Sequence, residues 1–261
     1  MNIVFLTTES LHHYYLINEF NKSYTVKKVF FQTKNVEPKP LKVRIKRWVN
    51  PINYKSVGLA LLDRLLFGKE RALERTFELK YLFNGSPARL DSQMPYEKIE
   101  SFNNSDVVEK VKGENPDLII VFGTEILKGE ILRVAKLGIF NIHRSILPLY
   151  RGGGLPGWVF YNNDFKNIGT TVHVCSEKLD GGDIVGKKYY QLRKGDEIYI
   201  LRAKTTALAV EILKEVIEKL KQGVLHYEKQ DYTKTWSAKN MTLLKELTAR
   251  RNFKNYLNSL T

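Results

Sequence analysis

Two short runs, Asn2–Thr7 and Leu118–Phe122, are apolar at nearly every position. A strand apolar at alternate positions buries one face, but one apolar throughout must be covered on both, as in a parallel sheet wrapped by helices. The surrounding pattern agrees. Leu11–Asn21 reads as a helix and Tyr24–Gln32 as a second strand, which opens a βαβ arrangement. The alternation resumes at Ser105, read as the N-cap of a helix through Val111, and continues after the Asn115-Pro116 turn into Leu118–Phe122. A helix over Ile126–Ala135 and a strand over Gly138–His143 are expected next. Beyond them come a helix over Leu155–Asn162 and strands over Gly169–Cys175 and Ile184–Leu192. The longest helix is placed near Asp196–Gln222, capped by Gly223, with Ile198, Leu201, Leu208, Ile212, Val216 and Leu220 as its buried stripe. The expected fold class is α/β: a Rossmann-like, mostly parallel twisted sheet with helices on both faces.

Between the second strand and the resumed alternation, Leu41–Lys80 breaks the rhythm and reads as a basic helical insertion, with ten basic and four acidic residues. Leu59, Leu62, Leu65 and Leu66 share one face of its predicted helix. Two readings follow: leucines packed onto the sheet with the basic residues solvated, which is preferred, or a basic amphipathic helix resting on an anionic membrane or a partner. The whole chain carries 42 Lys and Arg against 28 Asp and Glu, a net charge of +14, so an anionic partner is expected. Cys175 is the single cysteine, which rules out an internal disulfide and a cysteine-built zinc cluster. With no basic leader before a long apolar run and no long uninterrupted apolar window, a soluble cytoplasmic protein is expected. Residues 1–223 are assigned to the main domain, with the insertion at about 41–80, and 224–261 to a short C-terminal appendage.

Chemistry concentrates in Phe140–Gly152, followed by Leu179-Asp180-Gly181-Gly182-Asp183-Ile184. Side chains alternate along a strand, so Asn141 and His143 face one space while Phe140 and Ile142 face packing. That space lies at the carboxyl end of an expected parallel strand, where open α/β sheets place their ligands. Pro148 and Gly152-Gly153-Gly154 then force the chain into a loop suited to wrapping a ligand. His173 alternates with Thr171 and Cys175 on its strand, close in sequence to the Asp180 loop.

The ordered combination of Asn-x-His at a strand end, a Ser-x-x-Pro loop, Tyr-Arg-Gly and Asp-Gly-Gly-Asp-Ile resembles the catalytic domain of the formyltransferase family. That family includes methionyl-tRNA formyltransferases, glycinamide ribonucleotide formyltransferases and sugar amine N-formyltransferases. The likeness runs from about Pro116 through Leu192, with one departure: Arg144 stands where many members have proline. The resemblance implies the formyltransferase fold, 10-formyltetrahydrofolate as cosubstrate, and no metal. It places Asn141, His143 and Asp180 at the catalytic positions. Phe122, Gly123, Thr124, Glu125 and Ile126, the loop Ser145, Ile146, Leu147 and Pro148, and Leu179 would border the folate. Arg151, Gly152, Gly153 and His173 would face the acceptor.

Such chemistry suits these residue types. Attack of an amine on a formyl carbon creates an oxyanion and an ammonium together, so an amide or imidazole must meet the first and a base must drain the second. The expected acceptor is the amino group of a nucleotide-linked sugar for surface polysaccharide synthesis, whose diphosphate answers the positive charge. Methionyl-tRNA formyltransferases carry a further C-terminal domain that residues 224–261 are too few to build, which makes tRNA the lesser expectation. A formyltetrahydrofolate hydrolase is the other alternative. A homodimer and peripheral contact with an anionic membrane complete the expected partners.

Overall fold

The computed structural model describes residues 1–33, 51–152, 156–238 and 241–260. A seven-stranded sheet runs in the order β3 (Tyr96–Ile99), β2 (Val26–Gln32), β1 (Ile3–Thr7), β4 (Leu118–Phe122), β5 (Ile139–His143), β7 (Gly169–Val174), β8 (Ile184–Tyr189). The pairings from β3 through β5 are all parallel; β7 runs antiparallel to both β5 and β8. A second, two-stranded sheet pairs β6 (Tyr150–Gly152) with β9 (Trp236–Ala238).

Both faces are covered, as the continuous apolar runs require. Ile3 and Phe5 of β1, with Leu118 and Ile120 of β4, pack under α1 (Leu11–Asn21) and α5 (Leu201–Lys221). Val4, Leu6, Ile119 and Val121 point the other way, onto Val107, Val108 and Val111 of α3 (Ser105–Gly113). Ile142 belongs to the first face and Ile139 to the second, so Asn141 and His143 share the second.

Several elements differ from the sequence reading. Ile126–Ala135 holds only a short 3-10 turn over Gly129–Arg133, and β3 was not anticipated. Helix α5 starts only at Leu201, so Ile198 precedes it, half-buried; within it Leu208 is half-buried while Ala209, Leu213 and Ile217 are buried. The longest helix is α2 (Pro51–Glu78), inside the insertion. Residues 34–50, with Lys46 and Arg47, lie outside the described residues, as do the Leu59 side chain and Gly153.

The preferred reading of the leucines is corrected. Leu62, Leu65 and Leu66 are 41%, 73% and 46% exposed. The acidic residues Glu70, Glu74 and Glu78, four apart and therefore on one face, point inward instead. Two arginines decide this. Arg202 of α5 grips Glu78 through two bonds of 2.6 and 2.8 Å and Glu74 at 3.1 Å, while Arg250 of α6 (Leu243–Ser259) pairs with Glu70. A forked guanidinium–carboxylate pair offsets the desolvation of both ions, and Glu78 is 1% exposed. Helix α4 (Gly157–Tyr161) and α6 complete this side; Trp158, Phe160 and Phe165 pack with Ala249 and Phe253 in a separate apolar cluster. Among the described residues, no helix is long and apolar enough to cross a membrane.

Candidate active site

At the carboxyl ends of β4 and β5 the parallel part of the sheet stops, and β7 enters antiparallel beside β5. The register sets Asn141 opposite His173 and His143 opposite Thr171. The His173 Nδ1–H donates to its neighbour's carbonyl, Val174 O, at 2.8 Å. A carbonyl only accepts, so that nitrogen carries the proton, and in the neutral ring Nε2 accepts from Asn141 Nδ2 at 2.9 Å. His173 thereby orients the Asn141 amide, whose second N–H is left for the cavity.

The same reasoning fixes His143. Its Nε2 lies 2.9 Å from Tyr150 O and must donate, so in the neutral ring Nδ1 is the bare nitrogen. That nitrogen lies 3.6 Å from Asp180 Oδ1. Burial lowers the imidazole's pKa below its ordinary value, against the opposing pull of Asp180. A neutral ring with a bare Nδ1 is a base, and the carboxylate beside it stabilises the imidazolium formed once a proton arrives.

Asp180 adopts a left-handed backbone, φ 47°. Aspartate is among the few side chains that enter this region at modest cost. Burial raises its pKa, but the facing His173 and His143 rings and the Gly152 N–H, which donates to Oδ2 at 2.8 Å, together hold the carboxyl well below the usual range. The following Gly182 presses onto β7: a Cβ there would meet Val174 O at 1.9 Å, so only glycine permits this closeness.

The sequence reading missed the residues that hold this loop from behind. Gln230 Nε2 donates to Asp180 O at 3.0 Å and to Gly182 O at 2.5 Å, and the Tyr232 hydroxyl donates to Gly181 O. Both lie in residues 224–261, and β9 of that stretch pairs with β6, which ends on Gly152, the first glycine of the run. Nothing local to Gln230 or Tyr232 marks them.

A cavity of about 360 Å³ opens in front of the catalytic candidates. Gly123, Thr124, Glu125 and Ile126 line it, with Asn141, His143, Gly152, His173, Leu179 and Asp180. Phe122 does not: as a first-face residue it packs on His12 and His13, with Arg144 over its ring at 5.9 Å. Ser145, Ile146 and Leu147 are buried and Pro148 is half-buried, none of them on the cavity wall. Arg151 lies over the Tyr232 ring at 5.0 Å and donates to Leu179 O. Cys175, expected in a buried strand, sits just past β7, half-buried on the cavity wall, where burial pushes its thiol up to about 12. His12 and His13 are buried rather than presented to a ligand: His12 faces Glu78 at 3.5 Å, and His13 Nδ1 donates to Thr8 O at 2.7 Å.

Residues 77–217, which span the sheet edge and every catalytic candidate, match the family model described as formyl transferase. The chain belongs to the formyl transferase family. Among its relatives, a methionyl-tRNA formyltransferase of Caldanaerobacter subterraneus is 36% identical over 130 residues, 49% of this chain and 41% of that protein. The chain thus matches less than half the length of that curated relative. In structure, a sugar N-formyltransferase from Shewanella superposes with a TM-score of 0.57 at 14% identity, covering 97% of this chain and 87% of that one. A sugar 3N-formyl transferase solved in the presence of dTDP and 5-N-formyl-THF gives 0.56 at 14% identity, covering 98% and 81%. At such identity these two likenesses concern the fold.

Proposed function

We propose that this family member transfers a formyl group from 10-formyltetrahydrofolate to a primary amine, and that the amine is borne by a nucleotide-linked amino sugar. The observation that carries the reaction is the meeting of Asn141, bare His143 Nδ1 and the Asp180 carboxylate at one cavity. The cavity also suits a reduced folate: Ile126 and Leu179, 41% and 48% exposed, offer apolar contact at its wall, and polar groups converge at its floor. The cosubstrate supplies an activated formyl carbonyl.

Asn141 directs its second N–H at the oxygen where negative charge develops. His143 accepts the proton of the attacking ammonium at Nδ1, and Asp180 stabilises the resulting imidazolium. The ring then returns the proton to the departing nitrogen. His173 positions Asn141, and Gln230 and Tyr232 position Asp180.

Two things support a sugar acceptor: the fold likeness to two sugar N-formyltransferases over nearly the whole chain, and the basic charge, which answers a diphosphate. Identity to methionyl-tRNA formyltransferases favours the second reading, formylation of a charged tRNA. This reading of the acceptor places the protein in the cytoplasm. The test is consumption of 10-formyltetrahydrofolate, followed by absorbance, against a panel of nucleotide-linked amino sugars and methionyl-tRNA. Amine-dependent turnover with a sugar supports the reading; turnover with tRNA alone moves it to the second, and turnover without any amine makes the protein a hydrolase.

A further inference from the structure

Helix α2 is built inside out. Its inward stripe is acidic, Glu70, Glu74 and Glu78, and is consumed by Arg250 and Arg202. Its outward side presents Leu62, Leu65, Leu66 and Leu73, the last 40% exposed, and Leu79 and Tyr81 continue it at 36% and 43%. Among the described side chains from Leu62 to Tyr81, every exposed charge is basic, including Arg64, Lys69, Arg75 and Lys80. With Glu70, Glu74 and Glu78 turned toward α5 and α6, the exposed charges among the described side chains of this segment are cationic and stand beside the leucines. Across a groove of about 950 Å³ lined by Phe67 and Leu243, α6 adds Leu244, 77% exposed, and Leu247, 41%.

A soluble surface does not ordinarily gather so many large apolar side chains. We infer that the outer face of α2 docks on an anionic lipid surface, leucines entering the headgroup boundary and the flanking cations meeting lipid phosphates. Charge complementarity selects this occupant: an amphipathic helix whose described exposed leucines are flanked by Arg64, Lys69, Arg75 and Lys80 is the pattern for binding in the plane of an anionic interface. None of these residues lies at the cavity of the active site, so the inference stands apart from the proposed reaction.

The test is cosedimentation of the full chain with vesicles of phosphatidylcholine alone or mixed with phosphatidylglycerol, at low and at physiological salt. Binding is expected to the mixed vesicles only and to weaken with salt. Two variants separate the contributions: Leu62→Gln/Leu65→Gln/Leu66→Gln, and Arg64→Gln/Lys69→Gln/Arg75→Gln. Glutamine keeps helix propensity, and all six side chains are exposed, so melting should be unchanged. The charge variant should lose roughly a hundredfold in vesicle affinity at low salt, since each cation near such a surface contributes about fivefold. No binding by the wild type, equal binding to neutral vesicles, or full binding by both variants overturns the inference. A dimer abolished by the leucine variant, without vesicle binding, would assign the face to a second copy of the chain.

Discussion

His143 turns Nδ1 toward Asp180 Oδ1 at 3.6 Å while its Nε2 donates to Tyr150 O at 2.9 Å. The backbone carbonyl therefore decides which imidazole nitrogen is free to act, and the carboxylate decides what happens once it is protonated. Asp180→Asn keeps the shape and an acceptor for the Gly152 N–H but removes the charge that stabilises the imidazolium. Formyl-transfer kcat is expected to fall about a hundredfold or more, with folate binding by calorimetry unchanged. Turnover near that of the wild type would remove Asp180 from the mechanism.

The pH profile follows from the sign of the His143 shift. Burial holds its pKa below about 6.5, so the basic form already predominates at neutral pH. Activity should be flat through neutrality and decline only on the acid side. A limb centred above neutral would contradict the assigned protonation state.

Stability should also decline toward acid. His12, His13 and His143 all have folded-state pKa values depressed first of all by burial, that of His13 to about 4. Because the unfolded chain takes up these protons first, stability present above about 6.5 is lost as pH falls toward the folded values. His13 alone should account for about 2 kcal/mol by about pH 5, measured by urea unfolding at a series of pH values. Constant stability between neutrality and that pH would show that these rings are not held neutral by burial.

Gln230→Leu retains bulk and deletes both hydrogen bonds to the Asp180 loop. The expected result is a kcat reduced about tenfold, from misplacement of the carboxylate, with a stability loss of about 1–3 kcal/mol. Unaltered kcat at reduced stability would confine Gln230 to a structural role.

Glu78→Gln tests the inverted helix. It leaves Arg202 paired with Glu74 but facing a neutral amide in a site where Glu78 is 1% exposed, and about 2 kcal/mol of unfolding free energy should be lost with the charged hydrogen bonds. Thermal and urea unfolding of the variant beside wild type provide the measurement.

Much of the architecture was legible because it rests on local rules. The runs at Ile3–Thr7 and Leu118–Phe122 are buried at every position, as two-sided burial demands. The period-two alternation that sets Asn141 and His143 on one face also sends Phe122 to the opposite one, a consequence available from the same rule had it been carried one strand further. Gln230 and Tyr232 were invisible, since their role is a contact made 48 to 51 residues away in sequence.

By itself, then, the sequence determined that the central strands are buried on both faces, as in a mostly parallel sheet, and that Asn141 and His143 share a direction, for both follow from strand geometry within a few residues. Only the tertiary structure decided which face of α2 is inside and which nitrogen of His143 is bare. An amphipathic helix has two faces that can each be buried, and here the buried acids are met by Arg202 and Arg250, which arrive from elements far along the chain and without which the acidic stripe would be an uncompensated buried charge. In the same way, the imidazole's proton follows from where the Tyr150 carbonyl happens to lie, a fact of folded geometry with no counterpart in the order of residues.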